Sequence, residues 1–399
     1  MHILMLLDHN YPPDQRVENE AESLVQNGFE VTILSVGRDA RPEIEELKGV
    51  RIHRFDIPNQ VRKKLRATVG FFDLYSHLIY RFAKKSYGIK SFDAVHAHDL
   101  YLVNAGIKIK EKFDIPLIAD LHENYVGALS QYAWSTRFPG SMLTSTKRWE
   151  KYEREWLKKS DVIISVISEM KKRYTDLGFS DKKIIVVPNT PNIKGFRDYP
   201  INNEILHKFK DRKIILYSGG FDLHRGLETA IKAMPLVVRK HKDALLLLVG
   251  DGRNKPELIQ LRDDLGLENA VKFEGWQDQN NIRSYVRSAT IGLIPHVRSV
   301  QTDASIPHKL GYYMSEELPV ISSNCTSLKR MVNVNDAGII FESKNEEDLS
   351  KKINFLLSNP EEAHRLAKNG KKAVEKEFNW DSTVQPMIEF YTRLKNLQT

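Results

Sequence analysis

Short β-branched and aliphatic runs recur along this chain, and each closes on a polar or glycine-bearing loop before a stretch with helical periodicity begins. In the first half the runs are 3–7, 31–36, 50–55, 94–96, 116–120, 161–166 and 184–187. Strands that alternate with helical patterns argue for βαβ units and a parallel sheet. Residues 14–27 read as the first helix, with Asp14 as N-cap and Gly28 as its stop. The second half repeats the alternation, with strands at 213–217, 244–249, 271–273 and 291–294. Helices are expected at 255–265, 344–358, 361–378 and 380–397. A chain of 399 residues exceeds one ordinary core, so the expectation is an α/β protein of more than one domain. Proline and asparagine cluster from Pro188 to Pro200, as at a linker.

Composition narrows the function classes. Hydrophobic residues make up 41% and charged residues 28%, the balance of a soluble globular protein. The single cysteine, Cys325, excludes an intrachain disulfide and a multi-cysteine zinc site, which fits a cytoplasmic location. No apolar run spans a bilayer, and residues 1–7 read as a buried strand, because they lack the basic flank of a signal peptide. A net charge of +8 favours acidic partners: phosphates, nucleotides or an anionic membrane surface. No nucleic-acid-binding motif has a recognised spacing, so no nucleic acid partner is expected.

Chemistry gathers after the strands. His9, His98, Asp99, His122 and Glu123 all follow strand ends, and open α/β sheets bind ligands outside the carboxyl ends of their strands. In the second half Ser218-Gly219-Gly220 follows a strand, and Arg225 precedes a helix that starts near Leu227. Glycines admit a phosphate close to the backbone, helix N–H groups bind it, and an arginine grips two of its oxygens. A second helix opens at Pro307 with Lys309 in its first turn, and Leu310, Tyr313 and Met314 share one face. These residues equally suit an ordinary strand-flanking helix with a solvated lysine.

Residues 61–90 carry eight Lys or Arg against one acid, Asp73, with Val69, Phe72, Ile79 and Phe82 at helical spacing. That is either a helix packed on the sheet with a solvated basic face or a peripheral contact with an anionic membrane. Residues 124–150, with Tyr125, Tyr132, Trp134, Phe138 and Trp149, read as a long loop of the kind that forms a lid or a binding loop.

Pro307-x-Lys309-Leu310-x-x-Tyr313-Met314, followed by Leu318-Pro319-Val320-Ile321, resembles the donor motif of family 4 retaining glycosyltransferases of the GT-B fold. Pro307-His308-Lys309-Leu310 and the first loop Asp14-x-Arg16-Val17-x-x-Glu20-Ala21 look like one subgroup. The stretches 93–99, 120–123 and 186–192 also resemble family segments. The resemblance implies two Rossmann-like doubly wound domains facing each other across a cleft. It implies an acceptor-side domain at 1–192, a nucleotide-sugar domain at 193–378, and a helix at 379–399 that crosses back to the first. By the same resemblance His122, Arg225 and Lys309 are catalytic. Gly219, Gly220, Trp276, Asp303, Pro307, Leu310 and Tyr312 bind the donor, and Arg16, His98, Asp99 and Glu123 bind the acceptor. The implied reaction moves a sugar from a nucleotide-sugar to a glycan or lipid-linked hydroxyl, with retention, no metal and no cofactor. Bacterial surface polysaccharide synthesis at the inner face of the plasma membrane is the implied setting.

The pattern has departures. Two acids eight positions apart are usual in the family, and Ala304 and Tyr312 stand there. Glu317 replaces a small residue, and Gly220 replaces a second basic one. A tyrosine hydroxyl offers the ribose fewer acceptor sites than a carboxylate. Two other readings follow: a degenerate scaffold of a glycan-assembly complex, or another GT-B enzyme such as a nucleotide-sugar epimerase or a phosphorylase.

Overall fold

A computed structural model of the chain describes residues 1–37, 41–67, 69, 73–128 and 145–398. The chain divides into two compact units, Met1–Pro188 with Val384–Thr399, and Asn189–Thr383. The first unit is built on β1 (His2–Leu7), β2 (Glu30–Val36), β3 (Ile44–Leu47), β4 (Val50–Phe55), β5 (Ala94–His98), β6 (Leu117–Leu121), β7 (Val162–Ser165) and β8 (Ile184–Val186). Their order is β3-β4-β2-β1-β5-β6-β7-β8. Every neighbouring pair is parallel except β3–β4. Residues of β1, β5 and β6 are buried throughout, as expected of strands covered on both faces. The edge strand β3 was not expected, because Ile44-Glu45-Glu46-Leu47 is too short and too charged to read as a strand. Those charges suit an edge that must not pair further.

The second unit holds β9 (Lys213–Ser218), β10 (Ala244–Val249), β11 (Val271–Gly275), β12 (Ile291–Ile294), β13 (Val320–Ser323) and β14 (Gly338–Phe341). The order is β11-β10-β9-β12-β13-β14, parallel throughout. Ile215, Leu246 and Leu248 of the sheet meet Ile231, Met234 and Ile353 of the helices in its core.

Three expected elements differ. The basic segment 61–90 is two helices, Asn59–Ala67 and Leu74–Ile89, and Asp73 between them adopts φ +42°, which a continuous helix does not allow. Ile79 is buried and Phe82 stacks on Phe55 at 4.1 Å, whereas Phe72 lies outside the described residues. The expected loop 124–150 ends in a helix, Thr146–Lys159, with Trp149 buried on it against Tyr125; Tyr132, Trp134 and Phe138 lie outside the described residues. The last helix is two, Trp380–Thr383 and Gln385–Gln398, because Pro386 has no N–H and its ring blocks the carbonyl four residues back. Among the described residues no helix is long and apolar enough to cross a membrane.

Candidate active site

The sheet of the second unit reverses its strand order at β9, which lies between β10 and β12, so the loops after β9 and β12 flank a crevice. Gly219 has φ +136°, and a Cβ on it would lie 2.8 Å from Lys309 Nζ. Gly250 has φ +139°, and a Cβ on it would collide with the Gly219 carbonyl oxygen. Backbone thus packs on backbone where only glycine fits. Tyr217 Oη donates to the Gly220 carbonyl at 2.7 Å, and Ser218 N donates to Tyr313 Oη at 3.0 Å. These two tyrosines hold the loop in shape from below.

Two cations stand over that loop. Lys309 occupies the first turn of the helix His308–Ser315, and its Nζ sits 3.6 Å from the centre of the Tyr217 ring. Arg225 ends the short turn Leu223–Arg225 and directs Nη1 to His296 Nε2 at 3.2 Å, while its Nε is buried without a partner among the described residues. Among the described residues neither cation pairs with a carboxylate. Burial, then the nearby Arg225, hold Lys309 well below the usual lysine range. Burial, then Lys309 and Arg225, hold His296 well below the usual histidine range. Two half-desolvated cations that repel each other gain most from an anion between them.

The other expected donor residues divide. Pro307 leads the helix from just outside its first turn, with φ −76° and ψ 143°. Leu310 is wholly buried, so its side chain reaches no ligand; the helical spacing that marks it as motif also marks it as core. Tyr312 lays its ring on Phe196 at 4.2 Å and 17°, and so serves packing. Asp303 is spent on structure: it accepts from Thr326 N at 2.8 Å, starting the helix Thr326–Val334, and meets Arg298 Nε at 3.2 Å. Trp276 follows Gly275 and is 74% exposed, free to stack on a planar ring. His296 was missed by sequence reasoning; its one signal is its place right after β12, at the strand reversal.

The first unit reverses its order at β1, between β2 and β5. His122, just after β6, sets Nε2 3.1 Å from Asp120 Oδ2 and 3.0 Å from His98 Nδ1, and Nδ1 3.8 Å from Asp99 Oδ1. Burial disfavours its charge, yet Asp120 and Asp99 outweigh burial and raise it to about 9. Burial likewise opposes the Asp120 charge, but Arg16 and then His122 hold that carboxyl well below the usual range. Burial raises Glu20, the other acid beside Arg16. Asp99 accepts from Tyr101 Oη at 2.8 Å, and Asp8 accepts from Arg66 Nη1 at 3.0 Å and from Tyr75.

Arg16 and His98, expected at the acceptor, are buried inside the first unit. Arg16 is 5% exposed, and its guanidinium is spent on Asp120 at 2.9 Å, Glu20 at 2.8 Å and the Val187 carbonyl at 3.0 Å. His98 is wholly buried because β5 continues through it, two residues past the expected end. Asp99, His122 and Glu123 keep some exposure. Glu20, His96, His98 and Asp120 are the one cluster of metal-ligand types among the described residues. The Arg16 guanidinium already bridges its two carboxylates and so fills the role of the cation.

Two α/β units, each on a sheet of mainly parallel strands, are the architecture of the GT-B fold of glycosyltransferases. Residues 15–193 match the model for "Glycosyltransferase Family 4" and residues 198–373 that for "Glycosyl transferases group 1". The chain belongs to the family 4 glycosyltransferases. An uncharacterised glycosyltransferase of Methanocaldococcus jannaschii is 24% identical over 381 residues, covering 93% of this chain and 91% of that protein. Sucrose-phosphate synthase from Thermosynechococcus elongatus superposes with TM-score 0.76 at 19% identity, over 100% of both chains. Anabaena HepE in complex with UDP superposes with TM-score 0.75 at 14% identity, over 98% of this chain and 100% of that one. At these identities the two structures speak for the fold alone.

Proposed function

We propose that this glycosyltransferase moves a sugar from a nucleoside diphosphate sugar to a hydroxyl of a glycan or lipid-linked acceptor, with retention of configuration. The observation that carries the reading is the pair Arg225 and Lys309, two basic groups close together and, among the described residues, without a carboxylate; a bound diphosphate would restore the ammonium form that burial disfavours in Lys309. As the bond from the sugar C1 to the diphosphate oxygen breaks, negative charge grows on the diphosphate, and both cations stabilise it. The acceptor oxygen bonds to C1, and its proton passes to the departing phosphate oxygen, so no protein base and no metal are required. His122 takes the part of the sugar-contacting histidine. As an imidazolium it donates hydrogen bonds and does not abstract a proton. Trp276, Gly219 and Gly220 serve the nucleotide, and Asp99 and Glu123 serve the acceptor.

HepE is a structural neighbour in complex with UDP, which makes UDP the first nucleotide to try. A lipid-linked acceptor at a bacterial membrane is favoured by the helix Asn59–Ala67, where Val61, Lys63 and Lys64 are exposed together. The test is calorimetric titration with UDP, GDP, CDP, ADP and dTDP, without metal and then with it. One clear metal-independent binder is expected. Arg225→Ala and Lys309→Ala should each lower turnover by roughly 10²–10³. Wild-type turnover in both variants would sink the diphosphate assignment. Failure to bind any of the five nucleotides would favour the scaffold reading, with Ala304 and Tyr312 as its cause.

A further inference from the structure

We infer that His296 is a positioning residue for the donor diphosphate: its neutral ring accepts an N–H from Arg225 and holds that guanidinium facing the ligand. The inference rests on the diphosphate reading above and adds a residue to it.

Arginine only donates hydrogen bonds. Nε2 of His296, 3.2 Å from Arg225 Nη1, must therefore carry the lone pair, and the single ring proton sits on Nδ1. That Nδ1 is buried and has no partner among the described residues. A buried N–H without a partner is a standing cost, and an apolar side chain in the same space would avoid it. What the imidazole adds over such a side chain is its acceptor, and among the described residues the group that uses it is Arg225.

The backbone around His296 is tied on three sides. Its carbonyl accepts from Cys325 Sγ at 3.6 Å and from Ser343 Oγ at 3.4 Å. Val297 N donates to the His224 carbonyl at 2.9 Å, which joins this loop to the turn that carries Arg225. The charged and titratable groups that bear on the ring are Arg225 and His224 from that turn and Lys309 from the helix His308–Ser315; Cys325 Sγ touches the carbonyl. All three that bear on the ring are basic. A second ring proton would also set Nε2–H against the Arg225 N–H, so the neutral, accepting ring is favoured. Without it, the Arg225 guanidinium would lose the hydrogen-bond partner of its Nη1 and turn toward water, which solvates it better than a half-buried site does.

The experiment is UDP titration by calorimetry on the full chain, comparing wild type with His296→Leu, His296→Gln, Arg225→Ala and the Arg225→Ala/His296→Leu double variant. The leucine variant should bind about tenfold more weakly, the size of one lost hydrogen bond to a charged group. Glutamine, whose Oε1 can accept in place of Nε2, should recover most of the loss. In the Arg225→Ala background the leucine change should do nothing further, since coupled residues are not additive. Equal losses in both backgrounds would assign His296 to packing and overturn the inference, as would wild-type affinity in His296→Leu. Nitrogen-15 NMR of the wild-type imidazole tests the same point without a variant: bare Nε2 is expected, and protonated Nε2 near neutral pH would overturn the inference. Wild-type protein that binds none of the five nucleoside diphosphates would remove the donor reading itself, and this inference with it.

Discussion

His122 Nε2 lies 3.1 Å from Asp120 Oδ2, and Asp120 is held in turn by Arg16 at 2.9 Å. A buried arginine thus fixes a buried carboxylate, and that carboxylate fixes the charge on a partly exposed histidine.

The pH dependence follows. The folded-state value of His122 is raised to about 9 from 6.5. Its contribution to stability is fully present below pH 6.5 and is lost as the pH rises through about 9. An NMR titration of the His122 ring should show a midpoint well above that of a free histidine. Asp120→Asn should move it down, because the carboxylate that most supports the imidazolium is gone.

Lys309 has the opposite linkage. Its folded-state value is depressed by burial and by Arg225, so the free site disfavours the ammonium form. A bound diphosphate restores that form, and binding should take up a proton. Calorimetric heats of UDP binding should therefore vary with the ionisation enthalpy of the buffer, and affinity should fall as pH rises. Heats independent of the buffer would show that Lys309 is already charged.

Gly219→Ala should cost donor binding more than stability. The new Cβ would sit 2.8 Å from Lys309 Nζ at φ +136°. Backbone strain of that kind is worth about 1–3 kcal/mol, and the flexible lysine end yields before the sheet does. Thermal melts and UDP titrations on one preparation separate the two effects.

Tyr312 and Tyr313 should behave differently when each becomes phenylalanine. Tyr312→Phe keeps the ring stacked on Phe196 and should change UDP affinity little. Tyr313→Phe removes the acceptor for Ser218 N and leaves a buried N–H unpaired, a loss of about 1–3 kcal/mol. Urea unfolding of the two variants checks the contrast.

Most of the fold was legible because parallel strands buried on both faces are nearly continuous apolar runs. The helix after Asp14 was readable from its cap, and Asp14 does accept from Val17 N. The edge strand β3 and the helix break before Pro386 were not read, the first for want of apolar pattern and the second because an amphipathic stripe runs on across the proline. At the site, Arg225, Lys309 and the glycine loop were visible as residue types that suit a phosphate. Leu310 and Asp303 were visible too, but their partners, the core and the first turn of a neighbouring helix, were not.

The sequence by itself determined the alternation of strands and helices, the glycine-bearing turn at Ser218-Gly219-Gly220 and the basic residues Arg225 and Lys309, since these depend on local chemistry. Only the tertiary structure decided which polar groups are spent inside the protein and which are left for a ligand. Arg16 and His98 look as available in the sequence as His122 does, yet β5 runs far enough to bury one, and Asp120 and Glu20 engage the other. His296 stands 71 residues from Arg225, and nothing local to either joins them. Burial and pairing are set by where strands end and which strands are neighbours, and those are properties of the whole sheet.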